Sequence, residues 1–256
     1  MTQLLGEQRR RLVRDQIRKQ GAVKTSELSK LFSVSEITIR KDLQELAERG
    51  EIIRTHGGAV TRDSLAFEPS YQEKLTLRTE EKRRIGWAAA ELIEENMAIF
   101  IGNGSTTMEI VRHLDPVKPF KVFTNALTHA IELADLSQVD LSVIGGHLRW
   151  KSYAMVGPLA KRALEGVYFD LVLLGADGIS VEQGITIPSL NEAETVQEIM
   201  RAGSKTVIVA DHSKFGKVAH GRIAELRDVD LIISDEGVEP EYKKLLAELG
   251  VELSLV

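Results

Sequence analysis

Apolar residues recur at helical spacing through the first fifty positions and predict three helices. The first covers positions 9–20, and Gly21 follows it at the place where helices commonly end. Thr25 is a candidate N-cap for a short second helix, and Ser35 is the expected N-cap of a third helix that ends before Gly50. Three helices with a tight turn between the last two predict a helix-turn-helix.

The third helix has two faces with different candidate roles. Ile39, Leu43 and Leu46 repeat at helical spacing, so we expect them to face the core. The opposite side carries an Ile beside Arg, Lys and Thr, a combination that can read guanine edges and thymine methyl groups in the major groove. The candidate DNA contacts of this helix are Ser35, Ile37, Thr38, Arg40 and Lys41. A solvated face on a protein-interaction domain is the alternative.

Residues 51–60 predict a β-hairpin. β-branched residues flank His56, Gly57 and Gly58, as expected for a hairpin with glycine at its turn. A hairpin after a helix-turn-helix forms a wing, and we expect Arg54 and His56 near its tip to meet phosphates or the minor groove. A hairpin that only caps the core is the alternative for either residue.

The stretch 35–60, SEITIRKDLQELAERGEIIRTHGGAV, resembles the N-terminal signature of the DeoR family of repressors. Ser35 and the run Thr38 to Leu43 match that signature position by position, and the Gly-Gly pair falls in the wing. The resemblance implies that this part of the chain binds double-stranded operator DNA.

Residues 61–79 are polar, contain Pro69 and lack periodic apolar positions, so they predict a linker between two domains, 1–60 and 80–256. From Glu80 onward, helical segments alternate with short β-branched runs, which predicts an α/β fold with a doubly wound, mostly parallel sheet. The candidate strands are 97–101, 121–124, 140–144, 169–174, 205–210, 231–234 and 251–255.

Small and polar residues follow the candidate strands, at the end where ligands of open α/β sheets bind. The loop 102–107, GNGSTT, can cradle a phosphate with backbone amides, hydroxyls and the positive end of a helix. It is not a dinucleotide fingerprint, because Thr107 stands where the third glycine would be, and it is not a Walker loop. A tight strand-to-helix turn with Ser105 as its N-cap is the alternative. The candidate effector contacts are Gly102, Asn103, Gly104, Ser105, Thr106, Thr107, Asn125, Gly146, His147, Asp177, Glu192 and Lys214.

Three charged residues of this set suit an anionic polyol. Lys214 offers a cation to a phosphate, and Asp177 and Glu192 offer acceptors to sugar hydroxyls. Each has a purely structural alternative: a glycine turn for Asp177, the first turn of a helix for Glu192 and a solvated position for Lys214. His147 and His212 lack paired ligands at short spacing, so we expect no metal and no cofactor.

Charge is unevenly distributed along the chain. The 256 residues have a formal net charge of -5, yet residues 1–60 carry 12 Lys and Arg against 8 Asp and Glu. A basic head on an acidic body is compatible with DNA binding by the head. The sequence has no Cys, no apolar stretch at its start and none of transmembrane length, so we expect a cytoplasmic protein with no membrane partner.

The second half resembles the effector domain of the same DeoR family. The resemblance rests on TNALTHAIEL (124–133), GGHLR (145–149), GADGI (175–179), NEAE (191–194) and DHSKFG (211–216). It implies a fold similar to ribose-5-phosphate isomerase and glucosamine-6-phosphate deaminase, and a repressor that a phosphorylated sugar releases from its operator. One position departs from the pattern, because the family usually has Asp where this chain has Gly102.

Two rival functions stay open beside the repressor. One is a sugar-phosphate isomerase or deaminase with a DNA-binding head, although such an enzyme does not need the head. Its acid and base groups would be Asp177, Glu192, His212 and Lys214. The other is a winged helix that binds protein. For the repressor we expect no enzymatic activity and a homo-oligomer, a dimer or a tetramer.

Overall fold

The computed structural model describes residues 6–20, 22–49, 51–55, 57–60, 68–115, 117–136 and 138–256. The chain forms two compact units, Met1–Glu68 and Pro69–Val256. Residues 69–79, which we expected in the linker, belong to the second unit, because Tyr71 is buried in its core and the Tyr71 amide donates to the carbonyl oxygen of Lys151 at 3.0 Å. Residues 61–67 lie outside the described residues.

The first unit has the elements of a winged helix. In chain order they are α1 (Gly6–Gln20), β1 (Ala22–Lys24), α2 (Thr25–Phe32), α3 (Glu36–Glu48), β2 (Ile53–Thr55) and β3 (Gly58–Val60). The predicted helices and hairpin are present, and the unpredicted β1 completes an antiparallel sheet of order β1-β3-β2. Ser35 caps α3 as predicted, whereas Thr25 is the first residue of α2 and not its cap.

A small apolar core holds the three helices against this sheet. Its buried residues include Val13, Ile17, Leu28, Ile39 and Leu43. β3 approaches β1 so closely at Gly58 that a Cβ there would lie 1.9 Å from the carbonyl oxygen of Val23. A side chain does not fit in this space, so Gly58 determines where the wing meets the rest of the unit.

The second unit is an α/β domain. Its helices are α4 (Tyr71–Leu75), α5 (Thr79–Ala90), α6 (Ser105–Arg112), α7 (Leu127–Leu133), α8 (Pro158–Ala163), α9 (Leu190–Arg201) and α10 (Pro240–Glu248). Its strands are β4 (Ala98–Ile101), β5 (Phe120–Thr124), β6 (Val139–Val143), β7 (His147–Arg149), β8 (Ala154–Val156), β9 (Leu171–Gly175), β10 (Gly178–Ser180), β11 (Gly184–Ile187), β12 (Thr206–Val209), β13 (Gly221–Ala224), β14 (Leu231–Ser234) and β15 (Glu252–Leu255). Short 3-10 turns cover His212–Lys214 and Leu226–Asp228.

Seven parallel strands form the central sheet, in the order β15-β14-β12-β9-β4-β5-β6. They are the strands that the sequence predicted, so the doubly wound parallel fold is confirmed. Strand order reverses between β4 and β9, since the chain first moves from β4 to one edge and later from β9 to the other. Right-handed crossovers then place the helices on both faces: α5, α6 and α7 pack on one, and α8, α9 and α10 on the other.

Two smaller β structures accompany the central sheet and were not predicted. β7 and β8 form an antiparallel two-stranded ribbon, and β10, β11 and β13 form an antiparallel sheet of order β10-β11-β13. Their strands are only three or four residues long. Such short strands give no reliable period-2 pattern in the sequence.

Candidate functional site

The exposed side of α3 has the composition that the sequence predicted. Ile37 is 76% exposed, whereas Ile39, two residues later, is completely buried. Arg40 and Lys41 are also exposed, and Arg40 Nη2 lies 3.3 Å from Glu36 Oε2 on the same helix. Ion pairs between such exposed side chains are weak, so Arg40 can leave Glu36 for another acceptor at little cost.

The start of α3 is held by two hydroxyl groups. Ser35 Oγ accepts a hydrogen bond from the Thr38 amide at 3.2 Å and lies 2.9 Å from Thr38 Oγ1. Ser35 therefore has a structural role as the cap of the helix, which also accounts for its place in the motif. The helix N-terminus adds a positive end of the backbone dipole beside these residues, suited to a phosphate.

Arg54 lies on β2 and contacts α3. Its Nη1 donates a hydrogen bond to Gln44 Oε1, so this side chain links the wing to the helix. We expected Arg54 near the wing tip, where it would meet DNA or belong to a hairpin that only caps the core; the structure places it beside Gln44 of α3, and it remains exposed. His56, the other predicted contact of the wing, lies outside the described residues.

Several arginines of the head are paired with acids of the same unit. Asp42 is buried and accepts Arg9 Nε at 2.5 Å, which leaves its negative charge compensated. Further pairs join α1 to the following segments: Arg14 with Glu51 at 2.9 Å and Arg49 with Glu7 at 2.7 Å. These pairs hold α1 against the segments that follow it, so their cations are less available to DNA than the exposed Lys41 is.

The second candidate site lies at the carboxyl end of the central sheet, where strand order reverses between β4 and β9. Loops that leave adjacent strands in opposite directions form a crevice at such a position, and ligands of doubly wound sheets bind there. The loop 102–107 follows β4, and Asp177 follows β9. A Cβ built on Gly175 would lie 3.9 Å from the carbonyl oxygen of Asn103, which shows how close these two loops are.

The loop 102–107 presents two hydroxyl groups and a helix start. Gly104 is the N-cap of α6 and Ser105 its first helical residue, so the alternative in which Ser105 is the N-cap is wrong. Glycine occupies the cap position because the backbone there has a φ of 150°, which few other residues tolerate. The hydroxyls of Ser105 and Thr106 have no hydrogen-bond partner among the described residues, so they can donate to an anion.

Thr107 is turned inward. Its Oγ1 donates to the carbonyl oxygen of Gly104 or shares a hydrogen bond with His129 Nε2, at 3.1 and 3.0 Å. Complete burial lowers the pKa of His129 to about 3, with a smaller contribution from the charge of Arg112. The imidazole is therefore neutral, and its contact with Thr107 supports the loop 102–107 from the buried side.

Gly102 packs its backbone against the neighbouring strand. Its amide donates to the carbonyl oxygen of Leu173 at 2.9 Å, and a Cβ at this position would lie 2.7 Å from Leu174 Cδ2. The space that the side chain of an Asp would occupy at this position is thus partly filled by Leu174. The loop consequently has no acidic side chain of its own.

Glu192 is the centre of a buried polar cluster. Its Oε1 accepts Asn103 Nδ2 at 2.8 Å, and its Oε2 accepts Ser152 Oγ at 3.0 Å and Arg149 Nη1 at 3.4 Å. Asn125 joins the cluster through Asn103, since its Oδ1 accepts the Asn103 amide at 3.2 Å. Burial raises the pKa of Glu192, although these donors oppose the rise. Glu192 therefore orients Asn103 and Arg149 at the sheet end.

Asp177 lies between two lysines. Its Oδ1 is 2.7 Å from Lys74 Nζ and 3.6 Å from Lys214 Nζ. Burial alone would raise the pKa of Asp177, but the two ammonium groups outweigh it and lower the pKa to about 2. The charge of Lys74 also acts on Glu192, which places Lys74 near both carboxylates. We call this end of the sheet, with the loop 102–107, Asp177, Glu192, Lys74 and Lys214, the rim. It combines paired cations with hydrogen-bond acceptors and amides, the groups that suit an anionic polyol.

Two of the predicted effector contacts are not part of this network. His147 is exposed at the start of β7, and within the described residues no contact joins it to Glu192 or Asp177. Gly146 lets the chain pass close to β8, where a Cβ would lie 2.9 Å from the carbonyl oxygen of Val156. Both belong to the ribbon of β7 and β8, whose inward contact is made by Arg149.

Sequence reasoning missed three residues of the site. Arg149 and Ser152 lie in and beside the GGHLR segment, which was a usable signal, but nothing in the sequence shows their common partner Glu192. Lys74 lies in the segment that we expected to be linker. Its contact with Asp177 joins positions 103 residues apart, and a single lysine in a short polar segment has no pattern that predicts such a contact.

Other parts of the molecule offer fewer functional groups. Among the described residues, no three His, Asp or Glu side chains lie close enough to hold a metal ion. No described helix is long and apolar enough to cross a membrane. A cavity of about 490 Å³ lies at the opposite, amino end of the sheet, lined by residues such as Gly203, Thr206 and Asp230. It is distant in the fold from the loops that carry the charged network.

Comparison with known proteins matches both units. Residues 9–64 match the DeoR-like helix-turn-helix domain, and residues 77–236 match the DeoR C terminal sensor domain. A relative in Escherichia coli O157:H7, named as a candidate aga operon transcriptional repressor, is 34% identical over 97% of this chain and 93% of its own. The HTH-type transcriptional regulator GlpR of Haloferax volcanii is 34% identical over 97% of both chains.

Among solved structures, ribose 5-phosphate isomerase A from Methanocaldococcus jannaschii overlaps 54% of both chains, with 15% identity and a TM-score of 0.41. An overlap of this size says nothing about activity. The two domain matches cover most of the chain, and they follow each other in the order of its two units. The chain therefore belongs to the DeoR family of transcriptional regulators, with a helix-turn-helix domain followed by a sensor domain.

Proposed function

We propose that the protein is a sequence-specific transcription repressor of a sugar-metabolism operon, and that a phosphorylated sugar releases it from its operator. The observation that carries the effector half of the proposal is the pair of lysines on Asp177, at the crevice of the central sheet and beside a loop with two hydroxyls. Cations, amides and acceptors in one rim suit a ligand that has both a phosphate and hydroxyl groups.

The operator half rests on α3. Ile37, Arg40 and Lys41 are exposed on one side of a helix whose other side is buried, which is the arrangement that enters a major groove. Thr38 flanks them, and Arg54 extends the same surface onto the wing. Arg40 donates to a guanine edge, Lys41 contacts phosphate and Ile37 touches a thymine methyl group.

The effector half assigns a role to each side of the rim. The phosphate lies against the amides and hydroxyls of Ser105 and Thr106 and takes a cation from Lys214. The sugar hydroxyls donate to Asp177 and Glu192. Gly102, Asn103, Gly104 and Asn125 form the backbone and amide frame of this pocket.

Release from DNA follows from linkage. A ligand shifts the protein away from its operator only if it binds the DNA-free arrangement more tightly than the DNA-bound one. We also propose a homo-oligomer, a dimer or a tetramer, since helix-turn-helix proteins commonly bind paired half-sites one helical turn apart. Its place is the cytoplasm, where the operator lies.

The test is a thermal-shift screen of phosphorylated sugars, followed by operator binding with each sugar that stabilises the protein. We expect at least one to raise the melting temperature and to lower operator affinity. Lys214→Ala should bind the operator and ignore that sugar. Lys161→Ala, which breaks a surface ion pair with Glu194, is the matched control and should respond as the wild type does. If no sugar phosphate changed operator affinity, the proposed effector class would be wrong.

The rival enzyme has a weaker basis in the same geometry. A general base works best with a pKa near the working pH, whereas the lysines hold the pKa of Asp177 at about 2. Burial raises the pKa of Glu192, but both of its oxygens already accept hydrogen bonds from Asn103, Ser152 and Arg149. Incubation of the protein at high concentration with each sugar phosphate that binds should leave the sugar unchanged. Multiple turnovers that Lys214→Ala abolishes would replace the repressor-only proposal by an enzymatic one.

A further inference from the structure

Asp177 holds the two lysines in the way that a ligand phosphate would. We propose that the Asp177 carboxylate is an internal substitute for the effector phosphate, which the phosphate displaces from Lys74, and that α4 passes this exchange to the DNA-binding unit. The inference rests on the proposed function and adds its regulation. Without ligand, the Asp177 carboxylate occupies the phosphate position, and Lys74 changes its partner when the ligand binds.

The geometry of the three charges supports a competition. A single oxygen of Asp177 faces both ammonium groups, at 2.7 Å from Lys74 and 3.6 Å from Lys214. The second distance is longer than a good charge-assisted hydrogen bond, so one carboxylate does not satisfy both cations. A phosphate has three acceptor oxygens and up to two negative charges, and can contact both lysines at full strength. Because its pKa is about 2, Asp177 is ionised at neutral pH and is a true competitor.

Lys74 lies on a short helix that is held at both ends. α4 is five residues long, and its N-terminus is capped by Ser70, whose Oγ accepts the Glu73 amide at 3.3 Å. Its first residue, Tyr71, packs edge-on against Tyr153 of the ribbon with ring centroids 5.8 Å apart. At its other end Lys82 Nζ donates to the carbonyl oxygen of Lys74. A helix of this length has little stability of its own, so its position depends on these contacts and on the pairing of Lys74 with Asp177.

The position of α4 in the chain gives the shift a route. α4 is the first helix of the second unit, so the chain that leaves it leads through residues 61–67 to the DNA-binding unit. Displacement of Asp177 moves the Lys74 end of α4 toward the phosphate, and this movement changes where the connecting chain starts. Once displaced, Asp177 can accept a sugar hydroxyl. A sugar without a phosphate lacks the charge to displace it and leaves α4 unchanged.

The decisive variant is Asp177→Asn, because asparagine keeps the size of the side chain and removes its charge. The probe is inorganic phosphate, which has no sugar hydroxyls and reports only on the cations. Titration calorimetry with the full-length protein should show phosphate affinity at least about tenfold higher than in the wild type, because the competing charge is absent. Glu194→Gln removes the carboxylate of another lysine pair, also at 2.7 Å, and should leave the affinity unchanged. Unchanged or weaker phosphate binding by Asp177→Asn overturns the inference.

The second variant tests the route. Lys74→Met keeps the length and apolar stem of the side chain and should bind inorganic phosphate at least about tenfold more weakly. At sugar-phosphate concentrations that saturate this variant by thermal shift, it should stay on the operator, whereas Lys74→Arg should be released. Full release of Lys74→Met at saturation overturns the role of α4. If the wild type itself ignores every sugar phosphate, the proposed function fails, and the phosphate titration of Asp177→Asn still decides whether Asp177 is a competitor.

Discussion

Replacing Ile37 by alanine separates contact with DNA from contribution to the fold. Ile37 is 76% exposed, so the loss of its side chain beyond Cβ should change the free energy of unfolding by no more than about 0.5 kcal/mol. Ile39 is the matched control, because it is the same residue type on the same helix and is completely buried. Ile39→Ala should cost about 2 to 5 kcal/mol of stability through loss of burial and the cavity that remains.

The expected loss of operator affinity follows from the area that DNA can cover. Full burial of an isoleucine side chain contributes about 1.5 to 3 kcal/mol. A thymine methyl group covers only part of Ile37, so we expect a loss of about 1 kcal/mol, or roughly fivefold in Kd. This loss should be confined to the specific operator, since contacts with phosphate are unchanged and determine nonspecific binding.

The assay needs a duplex that the wild-type protein selects from a random library, and fluorescence anisotropy at one fixed salt concentration. Chemical unfolding of the same samples gives their stability. Exchange of single thymines for uracil then removes one methyl group at a time. At the contacted position the exchange should lower the operator affinity of the wild type, whereas Ile37→Ala should bind the thymine and uracil duplexes equally well. If no thymine shows this coupling, or if Ile37→Ala unfolds as easily as Ile39→Ala, the base contact assigned to Ile37 is wrong.

Further predictions concern charge, backbone space and pH. Arg40→Ala should lose about 1 to 3 kcal/mol of binding free energy on the operator and relax the sequence preference at one base pair. Lys41→Ala should weaken binding to all DNA sequences alike and reduce the slope of log affinity against log salt concentration by about one. Anisotropy across salt concentrations measures both effects. Gly58→Ala should unfold the winged helix in circular dichroism, because its Cβ would lie 1.9 Å from the carbonyl oxygen of Val23. Because its pKa is lowered to about 2, Asp177 should contribute about 2 kcal/mol of stability above pH 3.8 that is lost as pH falls toward 2, and Asp177→Asn should lack this loss in acid unfolding curves.

The parts of the fold that the sequence predicted are those with repeated apolar positions. The inner strands β4, β9, β12 and β14 are buried on both faces and therefore appear as runs of apolar residues, as Leu171–Gly175 and Thr206–Val209 show. The faces of α3 were predicted for the same reason, since Ile37 and Ile39 have opposite burial. The ribbon of β7 and β8 was missed, because its residues are mostly half-exposed and its strands are short.

The site was predicted where it follows strands and missed where it depends on distant pairing. Asp177 lies two residues after β9, and Lys214 lies in the turn that follows β12, so their position at the carboxyl end could be derived from topology alone. Lys74 reaches the same point from a short helix with one buried residue, and no periodicity marks it. His147 was expected in the site because it follows the candidate strand 140–144, but the ribbon that begins there turns Arg149 toward Glu192 and leaves His147 exposed.

The histidine beneath the loop 102–107 has a consequence for how the second unit responds to acid. A histidine at such a place usually makes a protein respond to acidity. Burial instead lowers the pKa of His129 to about 3. When the pH falls below the ordinary pKa of 6.5, the histidine is protonated in the unfolded chain only, so the free energy of unfolding decreases. In the folded protein the imidazole stays neutral and keeps its hydrogen bond with Thr107. Between about pH 4 and 8 the folded protein therefore keeps His129 neutral, and acidification in this range does not change the support that His129 gives to the loop.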